Sequence, residues 1–549
     1  MDKPIIFIIV DSVRSFDTKQ DDRDKLPIME DFGKEAVEFT NAFCSAPSSI
    51  MSASSMFTGI SSAYIARNYH DWKFEEGTIV SLQSILKKRG YKIFSIDNSK
   101  ESREMMQSLT LPLKKKYLPK NYSHADFWTN KDLCKILKNL FENHNIPKKS
   151  FFMLWFDCRK DPSTSNCVKE TLEIFKKNNF YDDSIIFLTS DHGYPVASSG
   201  LNENTMKGIG HDMIITDDNI KIPLYLKYPG CNVEKIESLV GNVDLTPTIL
   251  DLLNIDFKEL SKNVSGKSLL RIKENKDLHD KRVLRIDTRL FSQNNRITAL
   301  RSTKHKYVFY NDQEKHEIFD MIKDPNEIAP LNLENKENLE ILSFFKKKYL
   351  ESEKIINGYH CNEIFKNISL IKNNLKKAKE ILIVTKIPTE LLKIIIDQIK
   401  NINTNIKLFY PSTFKDSKNL FSKIEFIDVN SLDKIKFFDI AFIIKEKTTF
   451  SFVPKNLIDH KKLKFKKLYY FDYNMKKLNP LISKWFWPLW KYSLNYRFYL
   501  DEPKLLFIDL KKISKTLLNK YVLNKEEKID IYQQKQLRDR TMLNKDEKL

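Results

Sequence analysis

Five short stretches carry residue types that could do chemistry. Asp11 ends the apolar run Ile5 to Val10, with Arg14 three positions on. A carboxylate just past a buried strand can hold a divalent cation, because open α/β sheets bind ligands beyond the carboxyl ends of their strands; it can equally cap a turn. Thr189-Ser190-Asp191-His192-Gly193 follows a second apolar run. It sets one hard oxygen beside one imidazole, a pair suited to Zn²⁺ or Mn²⁺. Ala46 to Gly59 is rich in serine and reads as a loop entering a short helix, where a serine hydroxyl serves either as a cap or as a nucleophile. Gly208-Ile209-Gly210-His211 and Val243-Asp244-Leu245-Thr246-Pro247-Thr248-Ile249-Leu250-Asp251 complete the set.

These residues need a scaffold, and the pattern around them supplies one. Ile5 to Val10, Tyr91 to Ile96, Phe151 to Phe156 and Ser184 to Thr189 are continuous apolar runs of the kind found in strands buried on both faces. Helical patterns lie between them at Val80 to Arg89, with Gly90 placed to end it, and at Asn166 to Lys177. Strands alternating with helices predict an α/β fold with a mainly parallel sheet sandwiched by helices. Beyond a polar, Lys/Asn-rich stretch the alternation resumes: Ile381 to Thr385, a helix over Pro388 to Lys400, Ile406 to Tyr410, Phe438 to Ile444 and Leu468 to Phe471. This predicts a smaller Rossmann-like domain. It has no GxGxxG fingerprint, so no nucleotide is assigned to it. The expected organisation is a catalytic domain over 1–355, a linker over 356–375, the Rossmann-like domain over 376–510 and a charged helical tail over 511–549.

With 549 residues the chain is too long for one core. Its 41% hydrophobic content excludes a wholly disordered chain. The net charge of +20 could serve nucleic acid, an anionic membrane or an anionic substrate, but no dense Arg/Lys motif supports nucleic acid. The six cysteines form no CxxC pair, which predicts free thiols. The opening apolar run is too short for a signal peptide, and no stretch reaches the roughly eighteen apolar residues of a spanning helix. The expected location is cytoplasmic, with contact to a membrane surface left open. The cluster Trp485, Phe486, Trp487, Pro488, Leu489 and Trp490 could meet such a surface or a glycan, or pack between domains.

In order and spacing, the motifs resemble the sulfatase-like branch of the alkaline phosphatase superfamily across about residues 4–350. The pattern is a first-strand Asp, a nucleophile about ten residues before the Gly of a Thr-Gly, a strand ending in S-D-H-G, a Gly-His segment, Ile222-Pro223-Leu224 with Pro229-Gly230, and the V-D-x-x-P-T-x-L-D helix. Ala299-Leu300-Arg301, Lys306-Tyr307, Ile318-Phe319-Asp320 and Asp324-Pro325-Asn326-Glu327 fit as well. The resemblance implies that Ser49 is the nucleophile and a metal ligand, with Ser48 its neighbouring rival. It implies that Asp11, Asp191 and His192 hold a divalent metal (Zn or Mn, with Ca an option) and that Asp157, Asp161 and His211 could hold a second ion. Asp161 stands where two-metal relatives have His. Arg14 and Lys207 are the candidates to neutralise an anionic ester, which could be glycan-linked; the oligomeric state is not read.

Three departures shift the expectation from sulfate toward phosphate. Ser49-Ile50-Met51-Ser52-Ala53 lacks the signal that converts the family's nucleophile to formylglycine, so an unmodified serine is expected. The family's Lys and His after the Gly-Tyr strand are missing from Gly90 to Ser99, and Ser12 replaces a second Asp. The implied function is a sulfatase-like, metal-dependent hydrolase of sulfuric or phosphoric esters. The alternatives are a phosphotransferase acting on a surface glycan or its precursor, and a binding module that has lost catalysis.

Overall fold

The computed structural model describes residues 3–17, 20–65, 80–97, 113–123, 128–158, 161–195, 211–260, 263–274, 281–288, 296–311 and 313–370, and beyond them 372–379, 381–384, 399–400, 402, 406–409, 425–427, 438–445, 465–472 and 478–481. The chain divides into two units, Met1–Ile356 and Asn357–Leu549.

In the first unit the apolar runs become β1 (Ile5–Asp11), β4 (Lys92–Asp97), β5 (Ser150–Asp157) and β6 (Ile185–Thr189), with shorter β2 (Val37–Phe39), β3 (Ala42–Phe43), β7 (Lys221–Ile222), β8 (Leu224–Lys227), β9 (Glu234–Ile236) and β10 (Val240–Gly241). The main sheet runs β4-β5-β1-β6-β8-β2-β9. Its first four strands are parallel, and β8 is antiparallel to both β6 and β2. Strand β1 shows why its sequence is apolar without alternation. Ile5, Phe7 and Ile9 enter one hydrophobic cluster, while Ile6, Ile8 and Val10 enter another on the opposite face, all six fully buried. Each such side chain contributes roughly 1.5–3 kcal/mol of burial. Phe7 sits among Phe57, Phe151 and Phe187 at ring-centroid separations of 5.5, 5.6 and 5.0 Å, fixing the helix Ser49–Thr58 against the sheet.

A second layer follows: the antiparallel sheet β11 (Leu284–Asp287), β12 (Ile297–Arg301), β13 (His305–Tyr310) and β14 (Lys315–Asp320), in sequential order. The helix Lys336–Leu370 packs on it through Phe345 and Tyr349, which join Tyr307 and Phe309 in one cluster. That 35-residue helix, followed by Lys372–Lys377, occupies most of the stretch read from sequence as a linker.

In the second unit, β15 (Ile381–Val384), β16 (Ile406–Phe409), β17 (Glu425–Ile427), β18 (Phe438–Lys445), β19 (Phe465–Asp472) and β20 (Leu478–Leu481) form a sheet ordered β17-β16-β15-β18-β19-β20. All pairings are parallel except that of β20. This is the doubly wound order, with its switch point between β15 and β18. The tryptophan cluster and residues 511–549 lie outside the described residues. No described helix is long and apolar enough to cross a membrane.

Candidate active site

The site forms where β1 and β6 end side by side. Asp11 closes β1, and Asp191 and His192 lie just past β6. One ligand atom each from Asp11, Asp191 and His192 falls within 4.8 Å of the others. The chain leaves β1 through Ser12, at φ 62°, which turns its N–H onto Asp191 Oδ1 at 3.1 Å. The Ser12 hydroxyl donates to Asp11 Oδ1 at 2.6 Å, and Trp155 Nε1 reaches Asp11 Oδ2 at 3.4 Å. The Ser190 hydroxyl receives Val13 N–H at 3.0 Å and donates to the His192 carbonyl at 2.6 Å, fastening the two loops together.

His192 is fully buried, with Nδ1 2.7 Å from the Gly193 carbonyl. A carbonyl only accepts, so Nδ1 carries the proton and Nε2 presents its lone pair to the site. That lone pair faces Ser49 Oγ at 3.2 Å and Asp191 Oδ2 at 3.4 Å. Asp191 Oδ2 is buried and receives no hydrogen bond from a described residue. Burial first, then the charge of Asp11, pushes the Asp191 carboxyl above the usual carboxylate range. Two adjacent carboxylates, one of them with its orphaned oxygen, and an imidazole lone pair form a donor set that fits a divalent cation.

Ser49 is the first residue of its helix, after an extended Ser48 whose side chain makes no cap bond. Ser52 N–H is the first amide to reach back along the helix, to the Ser48 carbonyl at 2.8 Å. The amides before it are the donors a helix start leaves for an anion. Ser52 also donates to the Asp191 carbonyl, and Asn242 Nδ2 bonds Ser52 Oγ at 2.7 Å.

The other candidates are placed differently. His211 stacks on His192, with centroids 4.8 Å apart and planes at 27°, but its Nε2 pairs with Asp212 at 2.8 Å. Burial works to lower the His211 pKa; the hydrogen bond and charge of Asp212, then the charges of Asp11 and Asp191, outweigh it and raise it. Asp157 is the Cα partner of Asp11 across β5 and β1. Asp161 binds Ser163 through Oδ1 (N at 2.9 Å, Oγ at 2.6 Å), and Asn130 N–H through Oδ2 at 3.2 Å. These bonds anchor it between the starts of the helices Asn130–Asn143 and Thr164–Lys177. Among the described residues, Asp11, Asp191 and His192 are the one group of three or more His, Cys, Asp or Glu side chains close enough together to hold a metal ion. Arg14 is buried and grips Asp22 through Nε at 2.8 Å and Nη2 at 2.9 Å. Lys207 lies outside the described residues.

Sequence reasoning missed Trp155, Ser190, Ser52 and Asn242. Ser190 was visible as the residue before Asp-His, and Ser52 as one helical turn from Ser49. Asn242 reaches the site only through long-range folding.

A family model described as Sulfatase matches residues 3–156 and 163–255, and one described as N-sulphoglucosamine sulphohydrolase, C-terminal, matches 210–354. Together the two matches cover residues 3–156 and 163–354, and this region is similar to the sulfatases. Lipoteichoic acid synthase 2 of Bacillus subtilis is 28% identical over 194 residues, 35% of this chain and 25% of that protein. Choline-sulfatase of Rhizobium meliloti is 24% identical over 164 residues, 30% of each chain. The similarity thus spans less than a third of either curated relative. A solved structure from Bacteroides thetaiotaomicron, described as a sulfatase, shares the fold with a TM-score of 0.51 at 15% identity, covering 65% of this chain and 93% of that one.

Proposed function

We propose that this chain is a metal-dependent hydrolase of phosphoric or sulfuric esters, with phosphoesters preferred and unmodified Ser49 as nucleophile. The observation that carries this is the approach of Ser49 Oγ to His192 Nε2 at 3.2 Å, at a helix start beside the Asp11, Asp191 and His192 cluster. When bound there, Zn²⁺ or Mn²⁺, with Ca²⁺ as third candidate, supplies Lewis-acid activation of the serine and neutralises charge. Ser49 Oγ attacks the phosphorus or sulfur, the ester alcohol leaves, and a covalent seryl ester remains. The first amides of the Ser49 helix bind the anionic oxygens through the reaction. Water then cleaves the seryl ester. Absence of the family's Lys and His from Gly90 to Ser99 supports phosphate over sulfate.

A second reading follows from the similarity to a lipoteichoic acid synthase: an acceptor alcohol replaces water, and the chain is a phosphotransferase acting on a surface glycan or its precursor. We also propose a cytoplasmic location, supported by the free thiols of the described cysteines.

The test is hydrolysis of nitrophenyl phosphate, bis-nitrophenyl phosphate and nitrophenyl sulfate by metal-stripped protein with Zn²⁺, Mn²⁺ or Ca²⁺ restored, beside Ser49→Ala. Metal-dependent phosphoester cleavage absent from the variant is the expected result. Sulfate cleavage alone would overturn the phosphate preference. Product formation only with added glycerol would favour the transferase, and inactivity together with no retained metal would leave a binding module.

A further inference from the structure

Residues 217–221 lie outside the ligand cluster, yet they touch the loops around it. Gly193 N–H donates to the Asn219 carbonyl at 2.8 Å and Tyr194 N–H to the Asp218 carbonyl at 3.1 Å, holding the loop that carries Asp191 and His192. Cys44 N–H donates to the Ile220 carbonyl at 2.9 Å, on the approach to Ser49. Ser15 N–H donates to the Lys221 carbonyl at 3.1 Å, on the loop after Asp11. The Asn219 side chain, fully buried, donates from Nδ2 to the carbonyls of His211 at 2.8 Å and Ile214 at 2.7 Å. The fit at Gly193 is close: a Cβ there would stand 2.3 Å from the Asp218 carbonyl oxygen.

The segment is held from behind by the antiparallel sheet. Asp217 takes Arg301 at 3.0 Å on one oxygen and Lys306 at 3.1 Å on the other. Glu327 receives Asp217 N–H at 2.6 Å and pairs with Lys306 at 2.5 Å. Glu327 also stands at φ 57°, a conformation that a side-chain-bearing residue keeps only where its surroundings impose it. A buried cluster of four ionisable groups is a poor source of stability compared with apolar packing, so its use in setting one geometry is the better account of it.

We propose that residues 217–221 are a positioning element, pinned by Arg301, Lys306 and Glu327, that sets the mutual geometry of the loops bearing Asp11, Ser49, His192 and His211. Asn219 is its central positioning residue. Its consequence for chemistry rests on the metal-dependent reading above; its consequence for loop order does not.

The test is hydrogen exchange on the full chain, comparing wild type with Asn219→Ala, Lys306→Met, Lys306→Arg and Leu140→Ala. Leu140, fully buried on the helix Asn130–Asn143, serves as a control that destabilises the unit elsewhere. The expected result is a joint loss of protection, about tenfold, at the amides of Ser15, Cys44, Gly193 and Tyr194 in Asn219→Ala and Lys306→Met. Lys306→Arg should restore protection, and Leu140→Ala should not lose it selectively. Change confined to 217–221, or equal change in Leu140→Ala, would overturn the proposal. If Asn219→Ala does not fold, Asn219→Ser is measured instead. Mn²⁺ titration provides the functional arm. A roughly tenfold weaker Kd in Asn219→Ala is expected, and an unchanged Kd despite loosened loops would overturn the link to the site. Wild type that binds no Mn²⁺ would defeat the metal reading alone, since the exchange data decide the positioning element independently.

Discussion

Asp191 presents Oδ2 to His192 Nε2 at 3.4 Å, with both side chains fully buried and Asp11 the nearest other carboxylate. Burial and the Asp11 charge disfavour its ionised form in the metal-free protein. Asp191→Asn should therefore weaken Mn²⁺ binding at least 100-fold, yet stabilise metal-stripped protein by about 1–2 kcal/mol. Calorimetric titration and urea unfolding measure the two effects. A less stable metal-stripped variant would identify the carboxylate as a structural partner instead.

Ser48 and Ser49 are separable by experiment. Ser48 makes no side-chain cap bond, so Ser48→Ala should change stability by less than about 0.5 kcal/mol and leave turnover within about threefold. Ser49→Ala should lower turnover at least about a thousandfold while Mn²⁺ still binds. Equal losses in both variants would show that the helix start, rather than one hydroxyl, had been disturbed.

At Gly193 the added methyl group of alanine meets backbone, which cannot rotate away. Gly193→Ala should cost about 1–3 kcal/mol and lower kcat by at least about tenfold. Gly90→Ala supplies the contrast: Gly90 has φ +86°, and a Cβ there would have nothing within 4 Å, so the cost is backbone strain of about 1 kcal/mol with kcat unchanged. Thermal melts and steady-state kinetics on both variants make the comparison.

Arg14 is engaged by Asp22 through two nitrogens, with both side chains nearly out of solvent. Arg14→Gln should cost about 3 kcal/mol by leaving Asp22 buried without its cation. KM for an ester substrate should stay within about twofold in the folded fraction. A tenfold rise in KM with little loss of stability would instead assign Arg14 to the substrate.

The Glu353 cluster predicts a pH dependence. Burial opposes ionisation of Glu353, but Arg296 and Arg285 outweigh it and hold the pKa at about 2. A depressed carboxylate pKa adds stability that is complete above the unfolded value of about 4.5 and is lost as pH falls toward about 2. Glu353→Gln should therefore be less stable by on the order of 3 kcal/mol at pH 7, with the difference shrinking below pH 4. Urea unfolding from pH 7 to pH 3 checks the sign; a constant difference would remove the assignment.

Much of this was legible because the first strands are buried on both faces. Ile5 to Val10 had to be apolar at every position, and Asp11 stands out against that run. The Asp-His pair was visible for the same reason, at the end of Ile185 to Leu188. The support structure was less visible. Strands β3 and β7 have two residues each and no period to detect. Asn219 is one polar residue in a polar segment, and its partners His211 and Gly193 are set by tertiary contacts. Arg14 suggested an anion-binding role from its distance to Asp11, whereas its carboxylate partner lies eight residues further on, in a helix with no marked apolar period.

The helix Lys336–Leu370 has a consequence for how the chain can be divided. Glu353 lies well along it and, with Asp287, pairs with Arg285 and Arg296. Shortening the gene to the last strand would leave two buried arginines to share the single carboxylate of Asp287. The boundary of the first unit therefore falls after Ile356, so that the first half of this helix, Glu353 included, is an integral part of the unit whose sheet it covers.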